Sequence, residues 1–391
     1  MRDTAPTRAA PPPNLLLAAL TACGLMALTA YAPALPRIVT DLHAPPARVQ
    51  LTMSLYFLIF ATGQLLGGPL SDRLGRRPVA LGGMALFATG SLIGATAGSL
   101  ESLLAGRMLQ ALGGAAGAML ARAIIKDVFP ADQVARALTQ VVMISALVPI
   151  VAPVLGGYLA DWLGWRSILW VLGAYGTAVF AALALLYRET APPGARRPLG
   201  AYPRIYRGLI GNRAFMGYTL NAGAFAVAYF SFLSGMPIAL TAATGMGTAE
   251  FGRWFALMPA AYLAGNALSS RLLRVHDAAR MLRAGSLVST TGAAAMLACW
   301  AVFPPGPAAV FLPALLLTAG HGMAMNSATA LSMNSAPDSP GTAAALMGAI
   351  NMACAGLGTL LVATPSVGAV VAIVLAAQSV ALLLATARRR G

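Results

Sequence analysis

Charged residues are scarce in this 391-residue chain: they make up 9% of it, whereas hydrophobic residues make up 58%. An average soluble domain carries about 25% charged residues. A soluble enzyme, a disordered chain or a DNA-binding domain needs more polar side chains than this composition supplies. The scarcity of charge therefore predicts a multi-pass membrane protein.

Cysteine and acidic residues are also few. Cys23, Cys299 and Cys354 lie inside apolar stretches without metal-ligand spacing, so we expect free thiols, no disulfide and no metal site. Eleven acidic residues stand against 26 basic ones, a net charge of +15. In a soluble protein such an excess would indicate nucleic acid. Here the basic residues, all Arg except Lys126, flank apolar stretches, so we predict no nucleic-acid partner.

Apolar stretches long enough to cross a bilayer recur along the chain, since about 20 residues suffice. A longer basic segment, 188–213, leaves six of them on each side. The first stretch runs to about residue 36, longer than the apolar core of a signal peptide, so we expect it to be retained. The twelve predicted spans are roughly 14–36, 49–70, 78–99, 102–125, 137–160, 166–187, 214–241, 251–270, 279–303, 308–332, 341–363 and 367–387.

The basic residues test the orientation of these spans. With both termini in the cytoplasm, 21 of the 26 basic residues face the cytoplasm. Arg37, Arg48, Arg166 and Arg253 lie outside, and Arg107 lies within a span. This bias predicts a multi-pass protein of the bacterial cytoplasmic (inner) membrane with both termini cytoplasmic.

The chain repeats itself at an offset of 198 residues. Residues 65–76 align with residues 263–274, with seven of twelve positions identical, and both segments close the second span of their half. Two related six-helix halves are typical of secondary transporters, whose substrate site lies between the halves. We predict an all-α integral membrane protein with 12 transmembrane helices in two pseudo-symmetric bundles. The predicted parts are an N-terminal bundle (1–187), a cytoplasmic basic linker (188–213) and a C-terminal bundle (214–391).

Three motifs of the first half resemble the major facilitator superfamily. Residues 68–77 resemble the motif between its helices 2 and 3, residues 107–127 resemble helix 4, and residues 149–157 resemble the helix 5 motif of its antiporters. With Gln64, residues 31–36 and Gly164-Trp165-Arg166, the resemblance narrows to the bicyclomycin/chloramphenicol resistance branch of drug:proton antiporters. The second half matches in layout, with weaker motifs. The resemblance assigns a gating role to Gly68, Asp72, Arg73, Gly75, Arg76, Arg77 and Asp127, and a flexible seam to Pro149, Pro153, Gly156 and Gly157.

The resemblance implies the major facilitator fold and a transporter rather than an enzyme. It implies efflux of small amphiphilic compounds, chloramphenicol-like or bicyclomycin-like, by proton antiport with alternating access. No cofactor is expected, and the partners are the substrate, protons and the lipid bilayer around a monomer. We also predict that Asp72, Arg76 and Asp127 form a charge cluster on the cytoplasmic side in the outward-facing state.

One position departs from the branch. The branch carries an Asp in helix 1 where this chain has Thr29, and no acidic residue of the sequence lies at membrane depth. A facilitator or importer of one specific metabolite therefore stays open as an alternative. A membrane enzyme would need a catalytic set that the spans do not contain, and a non-transporting receptor would need no gating motif.

Apart from Tyr and Cys, Arg107 and His321 are the ionisable residues that we place well inside the bilayer, which makes them functional candidates. Arg107 stays protonated and either binds an anionic or carbonyl-rich substrate or bonds to helix carbonyls as a structural residue. His321 can titrate near neutral pH and is either the proton carrier, tuned by Arg107, or a neutral core histidine. Its neighbours Gly320 and Gly322 leave room for a ligand or another helix. Further cavity candidates, each of which could instead serve helix packing, are Thr29, Tyr31, Tyr56, Gln110, Asn221, Phe225, Tyr229, Tyr262, Met325, Asn326 and Asn351.

Overall fold

A computed structural model describes residues 12–191, 201–337, 340–362 and 366–387, and its regular elements within these ranges are helices. A 3-10 turn (Ala32–Ala34) joins the first two helices. The helices are α1 (Asn14–Thr29), α2 (Leu35–Asp41), α3 (Pro46–Leu74), α4 (Arg76–Ala95), α5 (Leu100–Val128), α6 (Ala131–Ser145), α7 (Val148–Leu163), α8 (Arg166–Leu186), α9 (Ala201–Gly211), α10 (Arg213–Thr244), α11 (Thr248–Leu272), α12 (Ala278–Val302), α13 (Pro307–Asn334), α14 (Pro340–Leu361) and α15 (Val367–Thr386).

Most of these helices are long and apolar enough to cross a bilayer. Within the described residues eleven segments qualify, and two of them are helix pairs joined end to end, α1 with α2 and α6 with α7. The remaining predicted span corresponds to α11, which has 25 residues. Glu250, Arg253 and Arg271 make α11 less apolar than the others. The protein is thus a multi-pass membrane protein, as the composition predicts.

The helices pack in two groups, α1–α8 and α10–α15. One end of the molecule, where the turns at Gly75 and Pro130 lie, carries most of the arginines, and we call it the basic end. The other end, where the turns at Gly164 and Gly245 lie, we call the distal end. Helix α9 belongs to the predicted linker and contacts α10 and α14 at the basic end. Residues 192–200 of that linker lie outside the described ranges, so the domain boundaries stay predictions.

Two seams join the halves, α3 against α14 and α7 against α11. Their hydrogen bonds lie towards the distal end: Ser54 bonds to Thr359, and Thr248 donates to Asp161. The basic half of the fifth span, α6, instead packs on α1 and α5 of its own half. The halves are therefore closed against each other at the distal end, whereas α6 at the basic end packs within its own half.

The fifth span, predicted at 137–160 with a flexible seam at its helix 5 motif, consists of two helices joined end to end. Helix α6 ends at Ser145 and α7 begins at Val148. Pro149 lies in the first turn of α7, where its missing N–H costs least. The break separates the part of this span that packs within its own half from the part that meets α11.

Candidate functional site

Arg107 is buried where α5 packs on α1 and α3, with 1% of its surface exposed. Its Nη1 donates to the carbonyl of Ala27 at 3.0 Å and to Oε1 of Gln110. Its Cζ lies 4.3 Å from the ring centroid of Tyr31 and 4.2 Å from that of Tyr56. No carboxylate of the described residues pairs with this guanidinium, so aromatic faces and a carbonyl stabilise its charge. Its Nε is buried without a partner.

The surroundings of Arg107 are fixed by further hydrogen bonds. Tyr31 donates to Thr52 at 3.0 Å, Tyr56 to the carbonyl of Gly24 at 3.1 Å, and Gln110 to Ser91 at 2.7 Å. Thr29 lies between Ala27 and Tyr31 in the sequence and is fully buried. Its hydroxyl donates to the carbonyl of Leu25 on its own helix. Thr29 therefore does not supply the proton-binding group that an acid would supply at this position.

His321 forms a second centre in the other half. Its ring centroid lies 4.4 Å from that of Phe225, 6.2 Å from that of Tyr229 and 6.1 Å from that of Tyr262. No hydrogen bond to the imidazole occurs within the described part of the chain, and 7% of the residue is exposed. The two flanking glycines serve helix packing, because a Cβ on Gly320 would meet α12 and one on Gly322 would meet α11.

Aromatic rings connect the two centres across the halves. Tyr56 is followed by Phe57 at 6.5 Å between centroids, Phe57 by Phe230 of the other half at 4.6 Å, and Phe230 by Tyr229 at 5.1 Å. We call these four rings the aromatic bridge. The bridge lies between Arg107 and His321, so in this arrangement the two residues have different neighbours. Phe57 and Phe230 were not predicted as site residues, although each directly follows a predicted tyrosine in the sequence.

The other cavity candidates are more dispersed. Asn326 is exposed and donates to Oδ1 of Asn266 at 2.5 Å. Asn351 is buried with an unpartnered Oδ1. Asn221 donates to the carbonyl of Ala381 on α15 at 2.6 Å, which is a helix-packing contact within the second half. Met325 packs against the apolar core of the same half.

The gating motif forms a charge cluster at the basic end. Arg76 donates from Nη1 to Asp72 at 2.5 Å and from Nε to Asp127 at 3.0 Å. Gly75 has a φ of 99°, a conformation that glycine adopts at little cost. The prediction linked this cluster to the outward-facing state, but it is present here while the distal end is closed. Asp72, Arg76 and Asp127 lie on α3, α4 and α5 of one half, so these ion pairs form within that half.

Glu189 supports this turn and was not selected from the sequence. Its carboxylate accepts hydrogen bonds from the backbone N–H groups of Arg76 at 2.9 Å and Arg77 at 3.1 Å, and from those of Thr190 and Ala191. Burial raises the pKa of Glu189, but these four N–H groups outweigh burial and hold the pKa below its usual range.

Three other motif residues are placed differently. Arg77 donates to the carbonyl of Ala184, Arg73 is exposed, and the space around Gly68 is open. Asp72 also accepts a hydrogen bond from Tyr202 of α9 at 2.5 Å. The linker helix is therefore tied directly to the charge cluster.

The helix 5 motif lies where three helices approach closely. A Cβ on Gly156 would collide with the carbonyl of Ala30 in the same half, and a Cβ on Gly157 would lie 2.6 Å from the carbonyl of Thr248 in the other half. Buried Pro153 lies inside α7. Adjacent glycines thus permit one contact within a half and one contact between the halves.

The distal end neutralises its own basic residues. Arg37 pairs with Asp161 at 2.5 Å, Arg48 with Glu101 at 2.8 Å and Arg166 with Asp41 at 2.5 Å. Arg253 donates to the hydroxyl of Tyr158. Asp161 in addition accepts from the backbone N–H of Ala249 at 2.9 Å and from Thr248, which anchors α7 to the start of α11.

Two six-helix groups that are joined at one end, with a buried ionisable side chain in each, are the architecture of a secondary transporter. The model of the Major Facilitator Superfamily matches residues 17–363, and the chain belongs to this superfamily.

The chain resembles several curated relatives. It is 31% identical over 368 residues to "Multidrug resistance protein D" of Escherichia coli (strain K12), covering 90% of this chain and 89% of that protein. It is 30% identical over 337 residues to an uncharacterized MFS-type transporter, YdgK, of Bacillus subtilis (strain 168), covering 85% and 84%. A bicyclomycin resistance protein homolog of Haemophilus influenzae is 29% identical over 255 residues, covering 65% and 64%. The predicted resemblance to the drug-resistance branch is confirmed, and these relatives are transporters rather than enzymes.

Solved structures support the fold. A bacterial homolog of the human lysosomal transporter Spinster, in an inward-facing and unoccupied conformation, matches with a TM-score of 0.76 at 18% identity, covering 96% of this chain and 95% of that one. The xylose transporter XylE of E. coli matches with a TM-score of 0.73 at 14% identity, covering 95% of each chain. The prediction of the major facilitator fold is confirmed.

Proposed function

We propose that this protein exports small amphiphilic compounds, chloramphenicol-like or bicyclomycin-like, from the bacterial cytoplasm in exchange for protons. The observation that carries the proposal is the aromatic bridge, which joins a buried cation in one half to a buried histidine in the other. The names of two relatives, which refer to multidrug and bicyclomycin resistance, support the same function.

The substrate binds along the aromatic bridge. Aromatic faces accept apolar groups of varied shape, which suits a transporter of several amphiphiles. Arg107 adds a positive charge and a buried Nε–H without a partner. This donor is available to a carbonyl, nitro or anionic group of the substrate. The site therefore selects compounds that combine an apolar body with a hydrogen-bond acceptor.

The exchange proceeds by alternating access. In this proposal the protein lies in the inner membrane with the basic end and both termini in the cytoplasm, and the excess of basic residues at that end supports this orientation. The seams at the distal end are closed, so in this proposal the substrate enters between the halves from the basic end. Opening the distal seams and closing the basic end then releases the substrate outside.

His321 carries the proton. In the inward-open arrangement its ring faces Phe225, Tyr229 and Tyr262, and no carboxylate or hydrogen-bond acceptor of the described residues stabilises an imidazolium. An antiporter must release its proton on the cytoplasmic side, and an aromatic environment favours that release because it disfavours the charge. Binding of the next proton then requires that the rings retreat in the outward-open state.

The test is transport in proteoliposomes driven only by an imposed pH gradient, with chloramphenicol as the probe. His321→Gln keeps hydrogen bonding but cannot titrate, so we expect gradient-driven accumulation to fall at least about tenfold while exchange without a gradient persists. His276→Gln is the matched control, because His276 lies at the basic end beside Arg280, and it should behave as the unmutated protein. Full accumulation by His321→Gln would contradict the assignment of the proton to His321.

A facilitator or importer of one metabolite is the second candidate. The observation in its favour is Thr29, whose hydroxyl bonds within its own helix where the branch has an acid. If the unmutated protein exchanges substrate at a rate that ignores the pH gradient, this second function replaces antiport.

A further inference from the structure

Five polar side chains are buried where α3 meets α10 and α14 near the distal end. They are at most 2% exposed, and we call them the distal polar seam: Gln50, Ser54, Ser231, Ser234 and Thr359. Phe57 of the aromatic bridge lies on α3 and Phe230 lies on α10, both closer to the middle of the spans. The seam is thus the part of the interface between the halves that follows the proposed binding region in the direction of export.

Two hydrogen bonds across the halves hold this seam closed. Nε2 of Gln50 donates to the carbonyl of Ser234 at 2.7 Å, and the hydroxyls of Ser54 and Thr359 are 2.8 Å apart. Ser54 also bonds to the carbonyl of Gln50, four residues earlier on its own helix. Such back-bonding is how a buried helical serine usually satisfies its hydroxyl.

Three other polar groups of the seam have no partner. Oε1 of Gln50 and the hydroxyls of Ser231 and Ser234 are inaccessible to solvent and make no hydrogen bond within the described residues. A buried polar group without a partner destabilises the arrangement that buries it. In a seam between membrane-spanning helices, apolar residues would pack without leaving polar groups unbonded, so these groups suit a hydrated surface better than the closed one.

We propose that the unpartnered groups of Gln50, Ser231 and Ser234 line the exit path for substrate in the outward-open state, and that their burial without partners limits the stability of the closed distal end. This inference rests on the proposed function, because it assumes alternating access. When the halves separate here, water satisfies all three groups.

The exit path would then differ chemically from the binding region. In the binding region, aromatic faces bind the apolar body of an amphiphile. In the exit path, the walls are amide and hydroxyl groups, which bind an apolar body only weakly and are themselves hydrated. The polar walls thus favour release over rebinding. The exit path would therefore bind amphiphiles that carry hydrogen-bonding groups, and it would bind them weakly while they remain in contact with water.

The test measures the distance across the distal end directly. Spin labels on Ala47→Cys at the start of α3 and Leu361→Cys at the end of α14 report the separation of the halves, since both residues are exposed. The background replaces Cys23, Cys299 and Cys354 with alanine. Distance distributions are recorded for the full chain in lipid nanodiscs with chloramphenicol and at low pH.

The serine variants should change the ratio of long to short distances in opposite directions. Ser231→Ala with Ser234→Ala removes two unpartnered hydroxyls at little change of shape, so the ratio of long to short distances should fall about tenfold. Ser54→Ala removes a hydrogen bond across the halves, so the ratio should rise severalfold. Ser327→Ala is the matched control, because its hydroxyl is also buried and unpartnered but α13 packs mainly within its own half. This control should leave the ratio unchanged.

Thermal unfolding of each variant checks folding, and the serine pair should melt no lower than the background protein. An unchanged or raised ratio in the Ser231/Ser234 variant overturns the inference, as does an equal shift in Ser327→Ala. If no long distance appears under any condition, including in Ser54→Ala, alternating access and this inference both fail. If the distances respond as expected but liposomes show no export, only the proposed function fails.

Discussion

A single carboxylate, that of Glu189, organises the tightest turn of the basic end. It accepts four backbone N–H groups, two of them at the start of α4, where the positive end of the helix dipole favours an anion. The glycine turn that precedes α4 leaves little room, since a Cβ on Gly75 would collide with this carboxylate. Glu189 therefore holds the end of α8 against the gating motif.

Glu189→Gln should lower the stability of the protein at neutral pH by about 1 kcal/mol, the usual cost of losing a helix N-terminal acceptor. Because its pKa is lowered in the folded state, the carboxylate stabilises fully above the unfolded value near 4.3 and loses this contribution as pH falls through the lower folded value. Unfolding followed by tryptophan fluorescence against pH measures the difference. Glu250→Gln, which removes an acid from the start of α11, is the control, and a pH-independent loss in Glu189→Gln would contradict the role of its charge.

At the scale of helices, the fifth span combines two tasks in two segments. Its basic segment, α6, packs within the first half, and its distal segment, α7, meets α11 of the second half. Two neighbouring glycines of α7 contact different halves: Gly156 packs against Ala30 of the first half, and Gly157 packs against Thr248 of the second half. The break before Pro149 lets the two segments take different directions.

The adjacent glycines predict different outcomes for the same substitution. Gly157→Ala places a Cβ against a carbonyl of the other half, an overpacking that costs about 1–3 kcal/mol, so the closed distal end should lose population by about tenfold or more. Gly156→Ala overpacks a contact inside one half, so it should lower the unfolding temperature without changing the distance between Ala47 and Leu361 labels. The same distance measurement decides between them, and identical behaviour of the two variants would refute the division of roles.

The sequence predicted which segments form helices more reliably than it predicted where the helices end. Apolar length predicted the span 251–270, whereas α11 extends from Thr248 to Leu272. Polar residues at the membrane surface continue a helix that hydropathy alone ends too early. Pro149 and Pro153 predicted flexibility in the fifth span, but the position of the break at residues 146–147 was not predicted, since apolar residues do not reveal where packing partners change.

The site was predictable only where the chemistry is unusual in a membrane. Arg107 and His321 stand out because ionisable residues are rare at that depth. Phe57 and Phe230 did not, because phenylalanine is common in spans and their contact joins residues far apart in the chain. Ser231 and Ser234 are equally inconspicuous in sequence, since only the closed interface shows that their hydroxyls lack partners.

At the scale of the whole molecule, the halves behave as two bodies joined at the distal end. Their contacts there combine hydroxyl pairs, tight glycine contacts and the Asp161 anchor, whereas the charge cluster of the gating motif is internal to one half. The repeat at 198 residues further predicts that residues 14–187 superpose on residues 214–387. Exchange between the two facing states then requires the distal seams to open.

A disulfide across the distal end should therefore stop transport. The oxygens of Ser54 and Thr359 are 2.8 Å apart, so cysteines at both positions can form a bond of about 2.0 Å with little movement. In the cysteine-free background, oxidation of the double variant should abolish transport and reduction should restore it. Each single cysteine variant should be insensitive to oxidant, and undiminished transport by the cross-linked protein would rule out opening at this seam.

The paired arginines of the distal end have an electrostatic consequence. Four basic residues there stand with four acids, Asp41, Glu101, Asp161 and Glu250, so this face contributes nothing to the net charge of +15. Among the described residues the excess of positive charge lies at the basic end, and its field extends about 8–10 Å into physiological salt. Anionic and neutral compounds thus reach the entrance at a higher local concentration than cations do. In the proposed direction of export, they leave from a face whose net charge is zero and which therefore attracts anions only weakly.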